Sequence, residues 1–287
     1  EDFLAEIDLQ MSTYRPDSEL SEFNRAQAGQ WFPVSAATAE VVAAAQEISE
    51  KSLGAMDITV GPLVRLWHFG PVDKSHTKQR TAFKPPSEED LNAARASVGY
   101  RNLEVRTDSP ALRKKIDGLE VDLSSIASGY AIDRIADMLV KQEIANFMVE
   151  LGGEIRAAGR RPDGQTWRVG IASPRAVSQQ LQSSISLLDA AVATAGDYQK
   201  FFEHNGRRYS HIIDPATGRP IEHALASVTV VADTCLEADG WDTPLLVLGP
   251  VRGFECAERN GIAALFISHG GKSVRATTAW QERFGEE

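Results

Sequence analysis

Apolar residues at the start of the chain recur at helical spacing: Phe3, Leu4, Ile7 and Met11 fall on one stripe, which predicts an amphipathic helix over residues 1–12. Pro16 helps to end it, and TYRPDSELSEFN (13–24) reads as a polar loop. Ser35 stands at an N-cap position before an apolar-periodic run reaching Lys51, with Gly54 as the stop signal, so a second helix is expected there. MDITVGPL (56–63) reads as a short extended piece entering a turn at Gly61-Pro62. Residues 70–86 are polar and contain prolines, the pattern of a surface loop. Ser87 and Asp90 form a capping-box pair for a helix running to about Val98.

Further along, 119–123 has the look of a strand. Ile126, Ile132, Ile135, Met138 and Leu139 then recur at helical spacing and predict the inward face of a helix over about 125–142. NFMVEL (146–151) predicts a buried strand ending at Gly152-Gly153, and WRVGIA, AAVATAG and ASVTVVA predict three more. Helices are expected from about Leu236 to Val247 and over 250–260, with the strand AALFIS closing the chain. Strands mixed with helices, some of them hairpin-linked, indicate an α+β fold with mixed, largely antiparallel sheets. No repeat, low-complexity tract or clean linker divides the chain, so residues 1–287 are expected to form a single domain.

Composition narrows this picture. A chain of 287 residues buries roughly 75% of its unfolded surface and needs no disulfide staples. A formal net charge of −10 argues against nucleic acid as the main partner. No apolar run approaches the roughly 20 residues of a membrane span. Cys235 and Cys256 read as core or near-surface thiols, and neither fixes a compartment. The first residues start inside a helical pattern with no signal segment, as a processed or trimmed chain would.

Three segments carry chemistry. Asp239 and Thr243 stand at i and i+4, one turn apart on one helix face. A carboxylate and a hydroxyl so placed can share a hard cation, Mg²⁺ or Ca²⁺ rather than zinc. Asp242 could add a second carboxylate. The plainer alternative has Asp239 near the helix N-terminus and Thr243 packed. Pro244 strains against a helix interior, where it fits only in the first turn or at a kink. In VDLSSIASGYAIDR (121–134), a strand ending at Asp122-Leu123 and a helix opened by Ser124-Ser125 would present free N–H groups to an anion, with Gly129 allowing close approach. The serines could equally be simple caps, and the string lacks the lysine and glycine spacing of a P-loop. In YSHIIDPATGRP (209–220), His211 titrates in a range that suits a general base. Asp214 could orient it, or could hold the Thr217-Gly218 turn through an Asx bond. In addition, Met56 and Asp57 could meet the edge of a heteroaromatic ring on which Tyr14 could stack; Tyr14 equally suits ordinary core or rim packing, and Asp57 a turn. Metal ligands, an anion site and a base together suit the cleavage or transfer of a phosphoanhydride.

Read jointly, MSTYRPDSELSEFN, GAMDITVGPLVRLWHFGP, VDLSSIASGYAIDR, MVELGGEIRAAG, VATAGDYQKFFEHNGRRYSHIIDPATGRPIEH and VTVVADTCLEADGWDTPLLVLGP resemble the ApbE family of FAD:protein FMN transferases, over about residues 11–250. The resemblance implies a Mg²⁺-dependent enzyme that binds FAD as substrate, moves its FMN half onto a Ser/Thr hydroxyl of a target redox protein, and releases AMP. It implies a target that is a subunit of an electron-transfer complex. It also implies a position on the periplasmic face of the bacterial inner membrane, often with a lipid anchor. Carried over by position, Asp239, Thr243 and the backbone carbonyl of Ser125 match the metal ligands. Tyr14, Ala55, Met56, Asp57, Asp122, Ser128 and Ile213 match the FAD contacts, and His211 matches the catalytic base.

The chain departs from the family pattern in places. Many members read Gly-Gly-Ile-Ala-Lys-Gly where this chain has Ser124 to Gly129, which removes a phosphate-side lysine. Many read Thr-Ser-Gly at Thr194-Ala195-Gly196. The family's earlier strand, which carries Met-Gly-Thr, is expected to precede residue 1. The competing expectations are an FAD pyrophosphatase that gives FMN and AMP, and a non-catalytic FAD-binding protein.

Overall fold

A computed structural model describes residues 2–70, 84–172, 181–198 and 200–285. Most of the loop expected over 70–86 lies outside these residues. The first part of the chain carries α1 (Asp2–Met11), α2 (Glu19–Arg25), β1 (Phe32–Pro33), α3 (Ala36–Lys51), α4 (Gly61–Leu66), α5 (Glu88–Arg95), β2 (Leu103–Arg106) and β3 (Ala111–Lys114). Then follow α6 (Ala127–Lys141), β4 (Phe147–Leu151), β5 (Glu154–Ala158), β6 (Trp167–Ala172), β7 (Leu181–Leu187) and β8 (Ala190–Gly196). The short strands β9 (Phe201–His204), β10 (Arg207–Ser210), β11 (Ile213–Asp214) and β12 (Arg219–Pro220) come next. The described chain ends with β13 (Leu225–Ala232), α7 (Cys235–Arg259), β14 (Ala263–Ser268), β15 (Val274–Ala276) and α8 (Thr278–Phe284). Every ladder between these strands is antiparallel, which makes the fold α+β as its sequence pattern predicts.

The chain groups into two compact units. One comprises Glu1–Ser124 with Lys200–Ile221, the other Ser125–Gln199 with Glu222–Glu287. In the first unit, helices α1 to α5 accompany a sheet of order β1-β3-β2 and two hairpins, β9–β10 and β11–β12. Ser35 caps α3 by accepting from Thr38 N–H, and Ser87 caps α5 by accepting from Asp90 N–H, as the sequence predicts. The expected polar loop 13–24 is overturned. Ser18 caps α2, which buries Leu20 and Phe23, and these two apolar residues were too few to show a period. Gly61-Pro62 likewise opens α4 instead of a turn. Proline fits the first helical turn, where its missing N–H has no partner to lose. Trp67, Leu63 and Leu91 pack with Tyr209 and Ile213, and Trp67 donates its indole N–H to Gly218 O at 2.8 Å. That bond and the stacked Trp67–Tyr209 pair fix the two hairpins against α4.

The expected strand at 119–123 is not a strand. Leu119, Val121 and Leu123 are buried at alternate positions, but no strand pairs with the segment. Its main chain is held by side chains and one main-chain carbonyl instead. Asn24 gives and takes a bond with Val121, and the N–H of Asp122 reaches Ile58 O at 2.7 Å.

The second unit is built on a six-stranded sheet of order β15-β14-β13-β8-β5-β4, with the β6–β7 hairpin beside it. Val192, Val231 and Leu265 share a core with Val169, Ile185 and Trp280, while α7 packs on β8 and β13. Strand β13 is therefore covered on both faces, which explains its unbroken apolar run. Three expectations change here. Helix α6 begins at Ala127, after a turn over 124–126, and its buried stripe is Tyr130, Ala131, Ile132 and Ala136, while Met138 is exposed. β4 is an edge strand whose Met148 is exposed, so it is not buried. AALFIS does not close the chain, because β15 and α8 follow it.

The two helices expected over 236–247 and 250–260 form α7, broken by non-helical Gly249 (φ 79°, ψ −172°). Pro250 disfavours helical geometry at the residue before it, and glycine alone accepts the resulting angles cheaply. Pro244 lies inside the first segment of α7, and the kink falls at Gly249.

Candidate functional site

In the first unit, Ala55 and Met56 are buried, and Met56 N–H is held by Ser52 Oγ at 3.0 Å. Asp57 is buried too. Its Oδ1 accepts from Thr59 N–H and Thr59 Oγ1–H, and its Oδ2 from Tyr100 N–H. Burial raises its pKa, and these bonds pull the other way. Both oxygens thus have partners, Oδ1 in the Thr59 turn and Oδ2 at Tyr100, 43 residues away. Tyr14 lies between α1 and α2 and is 67% exposed, a large aromatic surface left in water. Its neighbour Thr13 lines a cleft of about 240 Å³ together with Asn24, Gly61, Arg65 and Asp122. Asp122 Oδ1 accepts from Ser124 N–H at 2.9 Å and Ser124 Oγ–H at 2.5 Å. The 122 N–H bond to Ile58 joins this segment to the one bearing Ala55–Asp57.

His211 follows β10 directly, and Ile213 stands on β11 of the next hairpin. Lys200 O lies 3.1 Å from His211 Nδ1. A carbonyl oxygen only accepts, so Nδ1 carries the proton and Nε2 keeps its lone pair. Burial pushes the imidazole pKa down, the Lys200 carbonyl opposes this, and the Lys200 charge adds to the lowering. The ring is therefore neutral at pH 7, with Nε2 as the basic atom. Asp214 is not its orienting partner. Asp214 Oδ1 accepts from Ala216 N–H and Oδ2 from Thr217 Oγ1–H, the Asx arrangement of a turn.

In the second unit, Asp239 Oδ2 accepts from Gly129 N–H at 2.8 Å. A side chain at Gly129 would collide with the Cys235 carbonyl and stand 2.9 Å from Asp239 Cβ, so only glycine lets α6 come this close to α7. The crossing is pinned again where Asp133 accepts from Cys235 N–H and Leu236 N–H, both at 2.9 Å. Thr243 lies one turn beyond Asp239 and donates to Asp242 Oδ1 at 3.0 Å, which leaves its oxygen lone pairs for another partner. Asp239 Oδ1 has no hydrogen-bond partner among the described residues. Burial, then the charge of Glu154, push the Asp239 pKa up to about 7, against the Gly129 bond; Asp133 adds to the rise. Burial and the Asp239 charge raise Asp242 well above the ordinary carboxylate range. Two buried carboxylates with no cationic partner among the described residues are costly, and a hard cation on Asp239 Oδ1 and Thr243 Oγ1 would offset that cost. The donor set therefore fits Mg²⁺ or Ca²⁺. Among the described residues no group of three or more His, Cys, Asp or Glu side chains is placed to hold a metal, so such a site depends on a hydroxyl and main-chain oxygen. Ser125 and Ser128 are half-buried on the approach to and first turn of α6, within this same unit. Both cysteines are free and buried.

Sequence reasoning missed Glu154, whose buried Oε2 has no hydrogen-bond partner among the described residues, along with Asp133 and Asn24. Only Glu154 had a visible cue, its place directly after Gly152-Gly153.

A sequence model described as the ApbE family matches residues 1–266. A FAD:protein FMN transferase of Vibrio cholerae is 47% identical over 264 residues, covering 92% of this chain and 76% of that protein. The one from Escherichia coli K12 is 41% identical over 270 residues, covering 93% and 75%. Among solved structures, the flavin transferase ApbE from Vibrio cholerae superposes with a TM-score of 0.88 at 43% identity, over 99% of this chain and 88% of that one. The ApbE protein from Thermotoga maritima gives 0.86 at 28% identity, over 99% and 90%.

Proposed function

Since the chain belongs to the ApbE family and is a flavin-transferring enzyme, we propose that it transfers the FMN moiety of FAD to a Ser/Thr hydroxyl of a target redox protein and releases AMP. The observation that carries the reading is the His211 tautomer: with Nδ1 on the Lys200 carbonyl, Nε2 of a neutral imidazole is the basic atom, as deprotonation of a hydroxyl requires. In the proposed reaction Nε2 takes the proton of the acceptor hydroxyl. The hydroxyl oxygen bonds to the FMN phosphorus, the bond from that phosphorus to the bridging oxygen breaks, and AMP leaves.

Asp239, Thr243 and the Ser125 carbonyl would hold Mg²⁺, which supplies neutralisation of the pyrophosphate charge. Gly129 fixes the Asp239 rotamer from behind, and Asp242 fixes the Thr243 hydroxyl. Tyr14 offers an exposed aromatic surface for stacking. By family resemblance Ala55, Met56, Asp57, Asp122, Ser128 and Ile213 would contact FAD. The reading takes residues 1–287 as one transferase domain. By family resemblance it extends to a target in an electron-transfer complex at the periplasmic face of the bacterial inner membrane. No helix among the described residues is long and apolar enough to cross a membrane.

The test is a gel assay for covalent flavin fluorescence with FAD, Mg²⁺ and a candidate acceptor subunit, with AMP followed in the same tube. A fluorescent acceptor with matching AMP is expected. AMP with FMN free in solution would instead identify a pyrophosphatase, and FAD retained without turnover a binding protein.

A further inference from the structure

The segment 119–122 belongs to no sheet, yet each of its four residues is held by a different part of the first unit. Lys114 Nζ, on β3, donates to Leu119 O at 3.3 Å. Arg65, on α4, forks onto the Glu120 carboxylate. Asn24, in the last turn of α2, donates from Nδ2 to Val121 O at 2.9 Å and accepts from Val121 N–H at 2.7 Å. Asp122 N–H is taken by Ile58 O. Of these, Asn24 alone meets both main-chain groups of one residue, and so replaces the strand partner that the segment lacks. It is itself braced, because the buried Lys114 ammonium also donates to Asn24 O at 2.8 Å.

Asn24, Val121 and Asp122 line one cleft with Thr13, next to exposed Tyr14. We propose that Asn24, braced by Lys114, is a positioning residue for FAD: it locks Val121 and thereby sets where Asp122 stands in the flavin-nucleotide site. The inference rests on the transferase reading above. Asn24 touches no reacting atom. Its loss leaves the chemistry intact and lets the cleft wall at 121–122 move, so it acts on FAD affinity and not on the turnover of bound FAD.

The experiment measures FAD KM, kcat at saturating FAD, FAD Kd by flavin fluorescence, and Tm, for wild type and three variants. Asn24→Ala removes both bonds. Asn24→Asp keeps the size and the acceptor for Val121 N–H, but sets a second carboxylate oxygen against Val121 O. Thr277→Ala is the control for lost stability: it removes a buried hydroxyl that ties Ile262 O and Ala264 N–H together in the second unit. Both Asn24 variants are expected to raise FAD KM and Kd about tenfold or more. Their kcat stays within about twofold of wild type. Thr277→Ala is expected to lower Tm with FAD KM unchanged. If Asn24→Ala does not fold, Lys114→Met, which keeps the aliphatic stem and removes the brace, carries the same expectation.

Wild-type FAD affinity in Asn24→Asp would overturn the inference, as would an equal KM shift in Thr277→Ala. A wild-type protein that binds no FAD would overturn the flavin reading and this inference with it. Unaffected Asn24 variants in a protein that does bind FAD would overturn this inference alone.

Discussion

His211 and Asp239 are each tuned by one main-chain contact. The Lys200 carbonyl sets the imidazole tautomer, and the Gly129 amide sets the carboxylate rotamer. His211→Ala is expected to lower flavin transfer by about 10²- to 10⁴-fold, the usual worth of a general base, while FAD still binds; transfer at the wild-type rate would remove it from the mechanism. Burial lowers its pKa, so the acid limb of the wild-type rate profile should fall below the ordinary histidine value of about 6.5, and should vanish in His211→Ala. Asp239→Asn is expected to abolish Mg²⁺-stimulated turnover with the fold intact, read by activity with and without EDTA alongside circular dichroism. At this scale the sequence shows the spacing of candidate residues but not how each side chain is held. The i, i+4 spacing of Asp239 and Thr243 was legible because a helix repeats on a known period. The inward commitment of Asp57 was not, since its partner Tyr100 lies 43 residues away. The spacing also could not choose between the two roles of Asp214, which the Asx bonds decide.

Elements with their own punctuation were read correctly. Ser35 and Ser87 announced α3 and α5, and the apolar runs of β8 and β13 announced strands, which the structure buries along nearly their whole length. Elements too short for a period were missed: α2 has seven residues, and β9 to β12 have two to four each. The false strand at 119–123 has the alternation of a strand, but hydrogen bonds from side chains do not show in an apolar pattern. At this scale the α6–α7 crossing makes the sharpest claim. Gly129→Ala should separate the two helices, costing about 1–3 kcal/mol as overpacked sites do. Its mark is a lower Tm together with weaker Mg²⁺ affinity by calorimetry. A Tm loss with Mg²⁺ affinity unchanged would show that the crossing supports the fold alone.

For the whole molecule, the buried carboxylates link stability to pH. Asp239 has a folded pKa of about 7, against about 3.9 for an unfolded aspartate. Between those values the folded state holds the extra proton, so stability falls as pH rises. In EDTA, Tm should therefore decline from pH 5 to pH 7.5, and saturating Mg²⁺ should flatten the decline. A Tm that rises over that range in EDTA would contradict the assignment. Asp242, raised in the same direction, steepens the trend.

The order in which the ribosome delivers the chain has its own consequence. The first unit is left unfinished at Ser124 and completed only by residues 200–221. Until those emerge, Trp67 has no Gly218 carbonyl to bond, and Leu63 and Leu91 lack Tyr209 and Ile213. A nascent chain stalled anywhere between 125 and 199 would thus show a greasy, unsealed patch to chaperones and proteases. The stretch that carries His211, the proposed base, is also the stretch that seals it, so a product truncated before it would lack the seal as well as that residue.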